Sequence, residues 1–146
     1  MDINRSIKRL TSYYISLYGT NDPYKIAKLL GIHIVITPLG KALGYYKYIK
    51  RNKWIFINEE IIGNDSLFKV VLAHELGHAV LHRKENCCFM AHHTLLLVSK
   101  IERQANIFAS YLLITDDMLQ EFEGFTKEQF CDCTGYPMEL IDLRIK

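Results

Sequence analysis

The chain has 146 residues, 49% of them hydrophobic and 23% charged, enough for one sizeable core but not for two, so a single domain spanning 1–146 is expected. Its formal net charge of +2 is too mild to point to nucleic acid as a partner. No apolar run approaches the ~20 residues a membrane span needs, and Met1-Asp2-Ile3-Asn4-Arg5-Ser6 lacks the apolar core of a secretory signal, so a cytoplasmic protein is expected.

Apolar residues at Ile3, Ile7, Leu10, Tyr14 and Leu17 predict a helix over 3–18, ended by Gly19-Thr20-Asn21. Asp22 as N-cap and Pro23 at the first helical position open a second helix, expected to bury Tyr24, Ile26, Ala27, Leu29 and Leu30 and to stop at Gly31. Ile32-His33-Ile34-Val35-Ile36 reads as a strand, with His33 an ordinary strand residue. Residues 43–49 and 54–57 read as a hairpin around Lys50-Arg51-Asn52-Lys53, whose positive charges are most simply a solvated tip.

A helix over about 66–82, capped by Asp65 or Ser66, carries the next motif; 83–93 is polar and reads as a surface loop. The helical pattern resumes over 94–113, with short helices over 116–122 and 126–130 and a last one from Met138 after Gly135-Tyr136-Pro137. These elements predict an α+β fold with a small, mostly antiparallel three-stranded sheet packed against the motif helix and further helices. Cys87-Cys88 and Cys131-x-Cys133 fit no secreted disulfide framework. Lacking C-x-x-C spacing, they are expected to be free thiols rather than a second metal site with His92 and His93.

The chemistry concentrates in His74-Glu75-Leu76-Gly77-His78. Residues four apart share a helix face, roughly 6 Å apart along the axis, so two imidazoles there can hold one Zn²⁺ from the same side. Glu75, at the edge of that face, suits a base that takes a proton from water. H-E-x-x-H alone turns up by chance in on the order of one chain in a hundred. Here it is flanked by Val70, Val71, Leu72, Ala73, Leu76, Ala79, Val80 and Leu81, which predicts a buried helix. Three buried polar side chains are costly there unless coordination satisfies them.

A third ligand must come from another element. The pattern H-E-x-x-H-x-x-G-x-x-H is absent; His82 lies on the same face and either serves the site or packs at the helix end. Glu102 borders the stripe Ile101, Ala105, Phe108, Ala109 and Leu112, and Asn106 follows one turn on. Glu102 can complete a His₂Glu set with His74 and His78, and Asn106 can hold a ligand histidine by its second ring nitrogen.

His74-Glu75-Leu76-Gly77-His78-x-x-Leu81-His82 with Glu102-x-x-Ala105-Asn106-x-Phe108-Ala109-x-x-Leu112-Leu113 resembles the ImmA/IrrE family of metallo-endopeptidases. Ile26-Ala27-x-x-Leu30-Gly31-Ile32, Ile55-x-Ile57-Asn58 and Gly135-Tyr136-Pro137-x-Glu139-Leu140-x-x-x-Arg144 follow it more weakly. Ile114-Thr115, where the family often has Met-Pro, and the segment from Arg83 to Lys100 depart from it.

The resemblance implies a zincin-like domain of the compact ImmA kind, with His74, His78 and Glu102 as metal ligands and Glu75 as catalytic base. It also implies cleavage of a helix-turn-helix repressor of a phage or mobile element. Zinc is the expected ion, with Mn²⁺ or Fe²⁺ as alternatives. Tyr111, Tyr136, His82 and His92 are the candidate oxyanion donors. A module that binds and sequesters its repressor without cutting it, and a closed structural zinc domain, are the alternative readings.

Overall fold

The protein, seen here in a computed structural model, is described over residues 2–85, 87–90 and 99–146. Helix α1 (Ile3–Tyr18) starts at Asp2, whose carboxylate accepts from the Asn4 amide, and closes on Gly19 in the left-handed conformation. Helix α2 (Pro23–Leu29) begins at the Asp22-Pro23 signal, with Asp22 accepting from the Tyr24 amide at 3.0 Å. Only one side of this two-turn helix is covered. Pro23, Ile26 and Ala27 are buried and Leu30 packs beside them, whereas Tyr24 and Leu29 are exposed, against expectation. At 100° per residue those two flank the buried face by about 110° on either side, too far round to be covered.

Strands β1 (His33–Thr37), β2 (Ala42–Ile49), β3 (Asn52–Asn58) and β4 (Cys87–Met90) form one sheet in the order β1-β3-β2-β4. The expected hairpin is β2–β3. It turns on two residues, Lys50 and Arg51, both at positive φ, with Ile49 opposite Asn52. Primed two-residue turns match the twist of the strands, which is why this turn holds two non-glycine residues in the left-handed region. β3 inserts between β1 and β2, so β1 runs parallel to it, with Ile34 beside Ile55 and Ile36 beside Ile57. The two other pairings are antiparallel.

β4 falls in the segment read as loop. Four residues are too short a run to be recognised without the partner strand β2, against which they pair from Tyr46–Cys87 to Ala42–Met90. Asn58 pins the loop into β2. Its amide donates to the Gly40 and Ala42 carbonyls, and its oxygen accepts from the Glu60 amide at the 3-10 turn Glu59–Ile61.

Helix α3 (Asp65–Leu81) is capped by Asn64, one residue ahead of the expected caps; its side chain accepts from the Leu67 amide. Every residue from Val70 to Ala79 is buried, because α3 is enclosed on two sides. One side rests on the sheet, where Tyr46, Ile55 and Ile57 meet Val71, Leu72 and Leu76 in a common core. The other meets α4 (Lys100–Leu113), which starts at its cap Ser99; the expected first turn at 94–98 lies outside the described residues.

Three short helices follow: α5 (Asp116–Glu121), α6 (Lys127–Thr134) and α7 (Met138–Arg144). Arg144 ties α7 to the end of α4. Its Nε donates to the Ile114 carbonyl, its terminal nitrogen pairs with Asp116, and its guanidinium lies 4.7 Å over the Tyr111 ring. No helix among the described residues is long and apolar enough to cross a membrane.

Gly77 sets the distance between α3 and α4. A Cβ there would stand 3.2 Å from both Cα and O of Ala105 and 3.1 Å from Cβ of Phe108. Backbone atoms in a packed seam do not yield as a side-chain tip does. Gly77→Ala gains about 1 kcal/mol of helix propensity but overpacks the seam at a typical cost of 1–3 kcal/mol. The expected net effect is a loss of up to about 2 kcal/mol, read as a lower thermal midpoint. An unchanged or raised midpoint would mean that the helices part cheaply.

Candidate metal centre

His74 and His78 project one turn apart from α3, their rings edge to face with centroids 4.7 Å apart. Their Nε2 atoms are 3.2 Å apart. Both face the carboxylate of Glu102 at the start of α4: Oε2 is 3.0 Å from His74 Nε2, and Oε1 is 2.7 Å from His78 Nε2. One donor atom from each residue lies within 4.8 Å of the others; among the described residues this is the group of histidine, cysteine and acidic side chains that could hold a metal ion. The two histidines are buried, while Glu102 retains contact with solvent, so the cluster is open on the α4 side.

Behind His74, Oδ1 of Asn106 lies 2.7 Å from Nδ1, the contact the sequence predicts. An amide oxygen only accepts, so Nδ1 of His74 carries the hydrogen and its Nε2 lone pair is aimed at Glu102. Behind His78, Nδ1 is 3.0 Å from Nδ1 of His82, whose Nε2 is 2.7 Å from Oε1 of Gln104. His82 also ends α3, its amide bonded to the His78 carbonyl; it therefore both closes the helix and touches the cluster.

Burial pushes the His78 and His82 imidazoles below the ordinary histidine range, favouring their neutral forms. Burial opposes ionisation of Glu102, but the His74 and His78 rings against its two oxygens outweigh that and hold the carboxyl well below the usual range.

Glu75 is fully buried, and neither carboxylate oxygen has a hydrogen-bond partner among the described residues. Burial first, and the Glu102 charge second, push it well above the usual carboxylate range. The space it occupies exists because β2 carries Gly44 opposite. A Cβ there would approach Glu75 Oε2 to 3.1 Å and Val71 Cγ1 to 2.8 Å.

The donor set suits a divalent cation. Three lone-pair donors of zinc's preferred kinds converge, burial favours the neutral form of His78, and an adjacent buried carboxylate has nothing among the described residues to bond. Of the candidate oxyanion donors, Tyr111 lies nine residues beyond Glu102, about 13 Å further along α4, under Arg144. Tyr136 is buried beside Gly135, whose α-carbon faces Ser66 at the far end of α3. Both ring nitrogens of His82 are engaged, and His92 lies outside the described residues.

Gln104 and Gly44 are the residues the sequence reading missed. Gln104 is two positions from Glu102, off the face that carries Glu102 and Asn106, and so had no helical-period signal. Gly44 stands inside a strand pattern, which marks a close approach without saying to what.

A motif helix on an α+β sheet and a His₂Glu cluster completed from a second helix define a metallopeptidase fold. Residues 27–144 match peptidase family M78, described as the IrrE N-terminal-like domain, and the chain belongs to that family. It is 34% identical over 148 residues to Metallopeptidase ImmA of Bacillus subtilis (strain 168), covering 97% of this chain and 85% of that protein. It is 38% identical over 141 residues to "Uncharacterized immunity region protein 2" of Bacillus phage phi105, covering 94% of this chain and 88% of that one.

The burial of Glu75 carries a stability cost with a definite sign. A glutamate whose folded-state pKa exceeds its unfolded value loses stability as the pH rises through the unfolded value, because the native state must keep or bury what the unfolded chain gives up freely. Chelator-treated Glu75→Gln is expected to melt above chelator-treated wild type at neutral pH, with the gap closing towards about pH 4–5. A wild type that melts higher than the variant at neutral pH would contradict this.

Proposed function

We propose that the chain is a zinc-dependent endopeptidase that cuts a helix-turn-helix repressor of a phage or mobile element at a specific site and so releases repressed genes. One observation carries the enzymatic reading: the Nε2 atoms of His74 and His78 and the Glu102 carboxylate converge beside the buried carboxylate of Glu75, which has no hydrogen-bond partner among the described residues. The names of the relatives, a metallopeptidase and a phage immunity-region protein, support the setting.

In this reading His74, His78 and Glu102 hold the metal. When bound, the ion supplies Lewis-acid activation of water and of a peptide carbonyl. The chain's own residues do the rest. Glu75 accepts the proton of the attacking water and delivers it to the leaving amine, a transfer favoured by a carboxyl that burial pushes well above the usual carboxylate range. Asn106 keeps His74 in the ligating tautomer. Among the described residues the sheet ends at β4, which packs against α3; an extended substrate segment adds to that edge by main-chain hydrogen bonds and passes along the cluster.

The test is co-incubation with the small helix-turn-helix repressor encoded nearest the gene. Wild type is expected to yield two discrete fragments. Glu75→Gln is expected to keep about one zinc per chain while cleaving 10²–10⁴-fold more slowly, roughly the contribution of a general base. Cleavage by Glu75→Gln at the wild-type rate would overturn the mechanism. An intact complex with wild type would favour sequestration without cutting.

A further inference from the structure

The two cluster histidines are supported differently. His74 meets an amide oxygen directly, through Asn106. His78 meets another imidazole, His82, which in turn meets the amide oxygen of Gln104. We propose that Gln104 and His82 form a two-step relay that fixes the ring tautomer of His78, keeping its hydrogen on Nδ1 and its Nε2 lone pair turned toward Glu102. The inference rests on the reading of His74, His78 and Glu102 as metal ligands.

Oε1 of Gln104 only accepts, so the 2.7 Å contact requires the hydrogen on Nε2 of His82. A neutral imidazole has one N–H, which leaves a lone pair on Nδ1 of His82. That lone pair faces Nδ1 of His78 at 3.0 Å, so Nδ1 of His78 must donate. His78 then has a lone pair on Nε2, the form that ligates a metal.

The relay has an opponent. The Glu102 carboxylate stands 2.7 Å from His78 Nε2 and favours a hydrogen there, the tautomer that cannot coordinate. An acceptor behind His78 is what tips the balance back.

The geometry is built rather than incidental. His82 follows His78 by four residues and so lies on the same helix face. As the C-cap it leaves helical geometry, at φ −130° and ψ 51°. Its ring tilts 51° to that of His78, with centroids 5.2 Å apart. Gln104 reaches it from α4, so the relay crosses the same seam as the ligands. His82 and Gln104 are positioning residues: they act through His78.

Zinc affinity of the full chain, measured by competition with a chromogenic chelator, tests the relay apart from activity. His82→Phe, which keeps a ring without an acceptor, is expected to bind zinc about 10–100-fold more weakly, the usual penalty for losing an orienting partner. Gln104→Leu should weaken binding in the same direction. Gln104→Glu, whose carboxylate also only accepts, should stay within about threefold of wild type. Ring ¹⁵N–¹H correlation spectra of the zinc-loaded wild type should report His82 as the Nε2–H form and His78 as the Nδ1–H form.

His82 found as the Nδ1–H form would overturn the relay. So would wild-type affinity in Gln104→Leu, which decides the matter even where His82→Phe fails to fold. Glu102→Ala separates the two readings. If it binds zinc as tightly as wild type, the metal site itself is wrong and the relay goes with it. If it loses zinc while Gln104→Leu keeps it, only the relay falls.

Discussion

The site depends on how closely α3 and α4 approach at Gly77. His74, His78 and Glu102 sit on two different helices, and their donor atoms can share one point only if the helix backbones nearly touch. Gly77 lies in the α3 turn between the two histidines and meets Ala105, which lies between Glu102 and Asn106 on α4. Small residues on both sides of the seam place the glutamate within reach of both rings and the asparagine within reach of one. A β-sheet beneath α3 gives the helix something rigid to press against, and Gly44 in β2 leaves room there for Glu75.

The electrostatics of that seam are unfavourable without a cation. Two buried imidazoles, of which burial pushes His78 toward its neutral form, meet two carboxylates there, and the Glu102 charge adds to the cost of charging the buried Glu75. Most of the protein follows the ordinary rule that buried polar groups are paired: Asn58 makes three hydrogen bonds, and Arg144 is held by a carbonyl, a carboxylate and a ring. Glu75 breaks the rule beside the cluster, where such strain most often serves function.

Much of the proposed site was legible in the sequence because its signals are local. Two histidines four apart, a glutamate between them and a glutamate–asparagine pair one turn apart on a second amphipathic helix need only helical periodicity to be read. The helices were legible for the same reason, and so was the β2–β3 hairpin. What escaped depends on partners distant in sequence. Strand alternation does not say which neighbour a strand takes, so the insertion of β3 beside β1, and the fourth strand at Cys87–Met90, became visible only in three dimensions. Tyr24 and Leu29 were misplaced because apolar character alone does not say how far round a short helix the covering elements reach. Tyr111 and Tyr136 carry the right chemistry for an oxyanion donor, but Tyr111 lies toward the far end of α4 under Arg144, and Tyr136 lies in the connection between α6 and α7, next to Gly135, which faces the start of α3.

In the proposed site two imidazoles and a carboxylate hold the metal, with no thiolate. X-ray absorption at the zinc edge of the loaded protein tests it directly. Only nitrogen and oxygen neighbours at about 2.0–2.2 Å are expected, with the outer-shell pattern of two imidazole rings. A sulfur neighbour at about 2.3 Å would place the metal on the cysteines instead and overturn the proposed ligand set.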